Sequence, residues 1–106
     1  MPKERREDMN RVVIVMTAKA GKAREVMAGL KAIGEYIGAK YDRKGDVFMQ
    51  LHGSAGTIYI MTDYKDLASA QAAQAQVMAD DGYWAIAQKF ADLLVDPPTI
   101  TLLQPV

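Results

Sequence analysis

Three side chains on one stretch of the chain have the chemistry of acid–base catalysis. His52 is the only histidine in the sequence, and its ordinary pKa near neutrality lets it accept or donate a proton. Tyr59 can donate a hydrogen bond to a carbonyl or a phenolate. Asp63, if it is desolvated, would be a base with a raised pKa. We therefore predict His52, Tyr59 and Asp63 as the catalytic residues.

Each of these residues also has a purely structural interpretation. His52 precedes a glycine turn and can be a surface histidine that hydrogen-bonds to the backbone. Asp63 can cap the helix that follows it. Tyr59 can pack in a core with its hydroxyl group satisfied. The sequence leaves both interpretations open for all three residues.

A second set of residues is suited to holding a substrate. Gln50 can orient a ligand carbonyl, although it can equally hydrogen-bond across a dimer interface. Trp84, together with Tyr83, can form a wall or lid over a flat ligand, although aromatic residues at helical spacing are also typical of a core. The predicted substrate-binding residues are Gln50, Phe48, Met61, Trp84 and Thr101.

The element that positions most of these residues is a predicted β-hairpin. Residues 47–52 and 57–63 alternate as strands do, and a turn with two glycines joins them. One face, which we expect to meet the helices, carries Val47, Met49, Leu51, Ile58 and Ile60. The opposite face, here called the outer face, carries Phe48, Gln50, His52, Tyr59, Met61 and Asp63. It is too apolar for water and too polar for an ordinary core, which predicts a semi-polar pocket closed by a second copy of the chain.

The remaining elements complete a single α+β domain at residues 11–106. Strands are predicted at 11–17 and 99–103, and helices at 22–39, 67–79 and 83–95. This order predicts a ferredoxin-like βαββαβ fold with an extra short helix before the last strand. Residues 1–10 alternate in charge and are predicted to be a mobile arm. The last strand carries no charge, and a free uncharged edge favours pairing with another chain.

The composition excludes several classes of function. The 13 basic and 13 acidic residues cancel, which argues against a nucleic-acid-binding surface. The absence of cysteine and the single histidine argue against a zinc site and any multi-histidine metal site. Apolar runs are too short for a membrane span, and no glycine-rich cofactor motif is present. We expect a cytoplasmic protein without cofactor, metal, membrane or nucleic acid.

Three stretches of the chain resemble the dimeric α/β-barrel superfamily, which includes antibiotic-biosynthesis monooxygenase-like, EthD-like and NIPSNAP-like proteins. They are VVIVMTAKAGKAREVM at 12–27, GTIYIMTDYKDLASAQ at 56–71 and VMADDGYWAIAQKFADLLVDPPTITLL at 77–103. The resemblance implies a homodimer whose two sheets enclose a barrel, with a ligand cavity either between each sheet and its helices or inside the barrel.

The resemblance also implies a range of activities. Members include cofactor-independent oxygenases, isomerases, polyketide cyclases and haem-degrading enzymes, and some have no known activity. The haem-degrading branch matches poorly, because it uses a histidine in the second helical region and this chain has none there. We predict a cofactor-independent cyclase, isomerase or monooxygenase acting on an aromatic or polyketide-like molecule. The alternatives are a non-catalytic small-molecule-binding homodimer and a structural homodimer with a filled barrel.

Overall fold

The computed structural model describes residues 10–52 and 56–106, which form a four-stranded antiparallel sheet with helices on one face. The strands are β1 (Asn10–Thr17), β2 (Asp46–Met49), β3 (Thr57–Tyr64) and β4 (Thr99–Leu103). The helices are α1 (Ala23–Tyr41), α2 (Leu67–Met78) and α3 (Asp81–Gln88), and a 3₁₀ turn follows at Ala91–Leu93. The predicted ferredoxin-like α+β fold is confirmed, with sheet order β2-β3-β1-β4.

The two faces of the sheet follow from the strand register. Met61 of β3 lies opposite Val13 of β1, and Val13 lies opposite Thr101 of β4, so these three residues share the outer face. Ile58 and Ile60 point the other way, toward the helices, where Ile58 is fully buried. The alternation along β3 was therefore predicted correctly.

The second strand departs from its prediction. β2 ends at Met49, although the Gln50 amide still donates to the Thr57 carbonyl at 2.9 Å. Val47 and Met49 share the inner face with Ile60 and Ile58, but they remain 44% and 43% exposed. The physical reason is that β2 is an edge strand, and the core of buried side chains lies beneath β1 and β3.

Side-chain caps set the starts of the two shorter helices. Asp66 accepts a hydrogen bond from the Ser69 amide at 2.7 Å and begins α2. Asp80 accepts a hydrogen bond from the Tyr83 amide at 2.9 Å and caps α3. The first residue of α3, Asp81, lies two residues before the predicted start. Aspartate is favoured at this position because its carboxylate satisfies an amide that has no partner within the helix.

The prediction of one helix over residues 83–95 is wrong at its C-terminal end. Helix α3 stops at Gln88 because Phe90 turns inward against Gly29 of α1, where any larger side chain would overlap its ring. The chain beyond it then pairs with the end of β1: the Val95 amide donates to the Thr17 carbonyl at 2.8 Å. Backbone used in this pairing cannot continue a helix.

The core joins α1 to the sheet. Val26 of α1 and Ile58 of β3 are fully buried, and Phe90 closes the same cluster from the segment after α3. The first strand begins at Asn10, which is buried and donates to the Lys65 carbonyl at 3.2 Å. The predicted arm at 1–10 otherwise lies outside the described residues.

Candidate functional site

A cavity of about 390 Å³ lies between the inner face of the sheet and the three helices. Its walls are apolar: Ile14 and Ile60 come from the sheet, and Leu30 and Ile33 come from α1. Helix α3 adds Trp84. A volume of this size falls in the range of small-molecule sites, which are mostly apolar with a few polar groups.

Small residues leave this space between the layers. Gly34 of α1, Ala73 of α2 and Ala87 of α3 all line the cavity at positions where a larger side chain would fill it. A Cβ placed on Gly34 would meet no heavy atom within 4 Å. Residue 34 therefore sets the free volume. The alanine-rich sequence of α2 is typical of a helix that packs closely, whereas a single glycine within α1 does not indicate a cavity.

Two neighbouring aromatic residues form one wall of the cavity. The rings of Tyr83 and Trp84 meet edge to face, with centroids 5.1 Å apart. The Trp84 indole donates to the Met78 carbonyl at 2.8 Å, which fixes the ring at the end of α2. Burial raises the pKa of Tyr83, so its phenol stays protonated and can donate to a ligand. The position agrees with the predicted wall, while binding by Trp84 stays a prediction.

Positive charge lies at one end of the cavity. Arg43 and Lys44, in the connection between α1 and β2, both line it, and we call this pair the cationic rim. Burial also raises the pKa of Tyr64 beside them, and the charge of Arg43 opposes part of that rise. The rim has no signal in the sequence, because two adjacent basic residues in a polar connection are also typical of a solvated loop.

A buried carboxylate holds the helices around the cavity. The Asp80 side chain is fully buried and accepts hydrogen bonds from Tyr36 at 2.7 Å, from Lys40 at 2.8 Å and from Tyr41. With the Tyr83 amide it has four donors. Lys40, followed by Tyr41 and Tyr36, holds the pKa of Asp80 well below its ordinary value. The end of α1 is thus tied to the start of α3.

Three of the predicted site residues meet at one end of the outer face. The Tyr59 hydroxyl donates to Gln50 Oε1 at 2.9 Å, and Gln50 Nε2 donates to the His52 carbonyl at 2.7 Å. The His52 side chain is exposed. The link therefore runs through the backbone of His52, and the predicted proton transfer by its imidazole stays a prediction.

Asp63 lies apart from that group and is not in the state that was predicted. It forms a two-pronged ion pair with Arg11, at 2.8 and 3.0 Å, and the hydrogen bond from Arg11 lowers the pKa of Asp63. Asp63 therefore has a lowered pKa in place of the raised value that a desolvated base would have, and its catalytic role stays a prediction. Four residues of strand also place Asp63 roughly 13 Å along β3 from Tyr59, at about 3.3 Å per residue.

The other predicted substrate-binding residues lie on the outer face, across the sheet from the cavity. Phe48 is opposite Tyr59 and is 51% exposed, while Met61 and Thr101 flank Val13. Only Trp84, of all the predicted site residues, lines the cavity between sheet and helices. A pocket on the outer face would need a second chain and stays a prediction.

Within residues 10–52 and 56–106, no group of three histidine, aspartate or glutamate side chains is placed to hold a metal ion. None of the helices in these two ranges has both the length and the apolar character needed to cross a bilayer.

Comparison with known proteins supports the fold. No family profile matches the sequence, and a search of curated proteins finds no match either. Among solved structures, a NIPSNAP family protein of unknown function from Agrobacterium tumefaciens is similar, with a TM-score of 0.78 and 17% identity over 94% of this chain and 90% of that one. An uncharacterized NIPSNAP domain protein from Burkholderia xenovorans is also similar, with a TM-score of 0.78 and 19% identity over 92% of this chain and 95% of that one.

A candidate antibiotic biosynthesis monooxygenase from Nitrosomonas europaea has the same fold, with a TM-score of 0.70 and 13% identity over 92% of this chain and 89% of that one. These structures come from the groups of proteins that the sequence resembles, so the resemblance is confirmed at the level of the fold. Identities this low carry no activity across.

Proposed function

We propose that this protein is a homodimer that binds a small, largely apolar or aromatic molecule between its sheet and its helices. The observation that carries the proposal is the cavity of about 390 Å³, whose apolar walls are interrupted by a few hydrogen-bonding groups. Tyr83 and Tyr64 are such groups, since burial keeps both phenols protonated. An apolar ligand would gain free energy by leaving water, and a phenol would fix its orientation.

The outer face supports the dimer in this proposal. It presents Phe48, Met61 and Thr101 beside the polar group of Tyr59 and Gln50, and Phe48 is half exposed. The strand β4 ends the sheet as an uncharged, exposed edge. A second copy of the same face would cover these apolar groups and leave the cavity, on the opposite side of the sheet, free for ligand.

The test uses N-phenyl-1-naphthylamine, a neutral aromatic probe whose fluorescence increases in apolar surroundings. We expect saturable binding that also changes the emission of Trp84, the only tryptophan of the chain. Gly34→Leu should abolish binding, because its side chain enters the cavity. Gly38→Ala is the matched control: it removes another glycine of the same helix and lies outside the cavity lining. Equal binding by the Gly34→Leu variant would contradict the proposal.

A second candidate is a cofactor-independent enzyme that uses the same cavity. It is supported by the phenol of Tyr83, which can donate a hydrogen bond to a ligand carbonyl while hydroxide from the solvent takes a proton from the adjacent carbon and forms water. It is also supported by the fold shared with a candidate monooxygenase. The predicted catalysts His52, Tyr59 and Asp63 would act only on a substrate bound at the outer face.

Proton exchange separates these possibilities. The α-protons of 1-tetralone, an aromatic ketone, exchange slowly in deuterium oxide and can be followed by NMR. Acceleration that is lost in Tyr83→Phe would place catalysis in the cavity, whereas acceleration lost in His52→Ala would place it at the outer face. If the protein does not accelerate exchange over buffer, the enzyme candidate fails for proton transfer and the binding proposal stands.

A further inference from the structure

The charges around the cavity have one sign. Among the described residues that line it, the ionised side chains are Arg43 and Lys44, and none is an aspartate or a glutamate. Both come from the short connection before β2, so they lie together, while the rest of the lining is uncharged and mostly apolar. A ligand that fills this space therefore meets positive charge at one of its ends.

Neither cation of the rim is neutralised within residues 10–52 and 56–106. Arg43 donates to the Ala73 carbonyl at 3.4 Å and to the Gln76 side chain, and its guanidinium lies over the Tyr41 ring at 5.3 Å. These contacts position it without supplying a negative charge. Lys44 makes no side-chain hydrogen bond or ion pair there.

Lys19, Arg24, Lys31, Lys65 and Lys89 also lack an ion pair in the described part of the chain, but Arg43 and Lys44 are the described cations that line the cavity. Arg11 binds Asp63 and Lys40 binds Asp80, each at 2.8 Å. Two unpaired cations beside an apolar space favour an anion that brings its own apolar body, because the body is buried while the charge replaces the missing partner.

The donor groups beside this space suit a carboxylate. Two of the five N–H donors of Arg43 are engaged by Ala73 and Gln76, which leaves three of them beside the ammonium of Lys44. The Tyr64 phenol also lines the cavity, and its hydroxyl makes no hydrogen bond within the described ranges. These three donor groups are sufficient for both oxygens of a carboxylate, which together accept about four hydrogen bonds.

We propose that the natural ligand of the cavity is a monocarboxylate with an apolar body, held by its carboxylate at Arg43, Lys44 and Tyr64. This inference rests on the proposed function, because it names the class of ligand for the same cavity. The apolar body would lie along Ile14, Ile33 and Trp84, which line the same cavity.

Three probes with one ten-carbon chain test the proposal: decanoate, 1-decanol and decylamine, each titrated below its micelle concentration with Trp84 emission as the readout. We expect decanoate to bind about tenfold more tightly than 1-decanol, as one charge-assisted hydrogen bond would give. Decylamine, which brings a second positive charge to the rim, should bind most weakly.

Lys44→Gln is the decisive variant, because Lys44 has no side-chain partner in the described chain whose loss would disturb the fold. It should weaken decanoate binding by about three- to tenfold and leave 1-decanol unchanged. Arg43→Gln should act in the same direction. Arg24→Gln, an exposed arginine of α1 outside the lining, removes the same charge and should change neither affinity.

The possible outcomes separate the two proposals. If 1-decanol and decanoate bind equally, or if Lys44→Gln weakens both alike, the carboxylate inference is overturned and the apolar cavity remains a binding site. If decylamine binds best, the sign of the charge is wrong. If none of the three probes binds, the carboxylate inference is overturned, and failure of N-phenyl-1-naphthylamine as well would overturn the proposed function.

Discussion

The Asp80 side chain accepts four hydrogen bonds and connects two helices. It joins Tyr36, Lys40 and Tyr41 of α1 to the first turn of α3. Removal of its charge by Asp80→Asn should retain the helix cap but leave Lys40 without its carboxylate. We expect a clear loss of stability in urea unfolding, since the buried amide that replaces the carboxylate would face donor groups and leave its own NH₂ without an acceptor.

Asp81→Asn is the matched control for that change. Asp81 is the exposed neighbour of Asp80, and its replacement should stay within about 0.5 kcal/mol, as is usual for surface positions. Equal effects of the two variants would show that the Asp80 contacts contribute nothing specific.

The Asp80 contacts also predict how stability depends on pH. The lowered pKa of Asp80 means that its contribution is complete above the ordinary aspartate pKa of about 3.9 and is lost as pH falls through the folded-state value. Lys40 has a raised pKa, so its contribution is complete below 10.5 and is lost at higher pH. The free energy of unfolding, measured from pH 3 to 9, should decrease less steeply toward acid pH in Asp80→Asn than in the unchanged protein. An equal slope in both would contradict this.

The Arg11–Asp63 ion pair gives a further prediction. In Arg11→Gln the pKa of Asp63 should rise toward the ordinary value near 3.9, because the lowering hydrogen bond is lost. NMR titration of the Asp63 carboxyl carbon measures it. Stability at pH 7 should fall by less than about 1 kcal/mol, since both side chains are partly exposed. A pKa that does not move would show that another group holds the charge.

Residue type predicted part of the site and missed the rest. Trp84 could be placed beside a cavity because aromatic residues at helical spacing face the interior, and strand alternation separated Tyr59 from Ile60. Gly34 and Lys44 could not be found in this way. The role of Gly34 is an absence of side chain, and the role of Lys44 depends on which neighbours lie near it in space.

At the scale of elements, two glycines of α1 have opposite roles. The ring of Phe90 occupies the space beside Gly29, whereas the space beside Gly34 is open. Gly29→Ala should destabilise the fold by about 1–2 kcal/mol, because overpacking exceeds the gain in helix propensity. Gly34→Ala should stabilise it by about 0.5–1 kcal/mol. Thermal unfolding of the two variants compares them directly, and a loss of stability in both would show that the space beside Gly34 is not open.

The elements also show where sequence reasoning ends. Caps and proline stops located β4 and the start of α2 to the residue, because those signals are local. The end of α3 depends on Phe90 reaching Gly29, about sixty residues earlier in the chain. No local pattern contains that contact, so the predicted helix continued too far.

At the scale of the whole molecule, the outer face predicts association. The chain should sediment at twice its mass of 11.7 kDa. Thr101→Glu places a charge at the outer face where the single chain is exposed, so the monomer should fold normally. The dissociation constant of the dimer should increase about a hundredfold, because an unpaired buried charge costs about 3 kcal/mol or more. Gln71→Glu, exposed on α2, is the control that should remain dimeric.

The order of the sheet has a consequence for synthesis on the ribosome. The central strand β1 is made first, and it pairs with β3 on one side and with β4, the last strand, on the other. About eighty residues separate β1 from β4, which is roughly 4–16 s of translation at about 5–20 residues per second. Throughout that time the nascent chain exposes an uncharged strand core, Val12 to Met16, as a free edge. That edge is covered only once β4 has been made and has paired with β1.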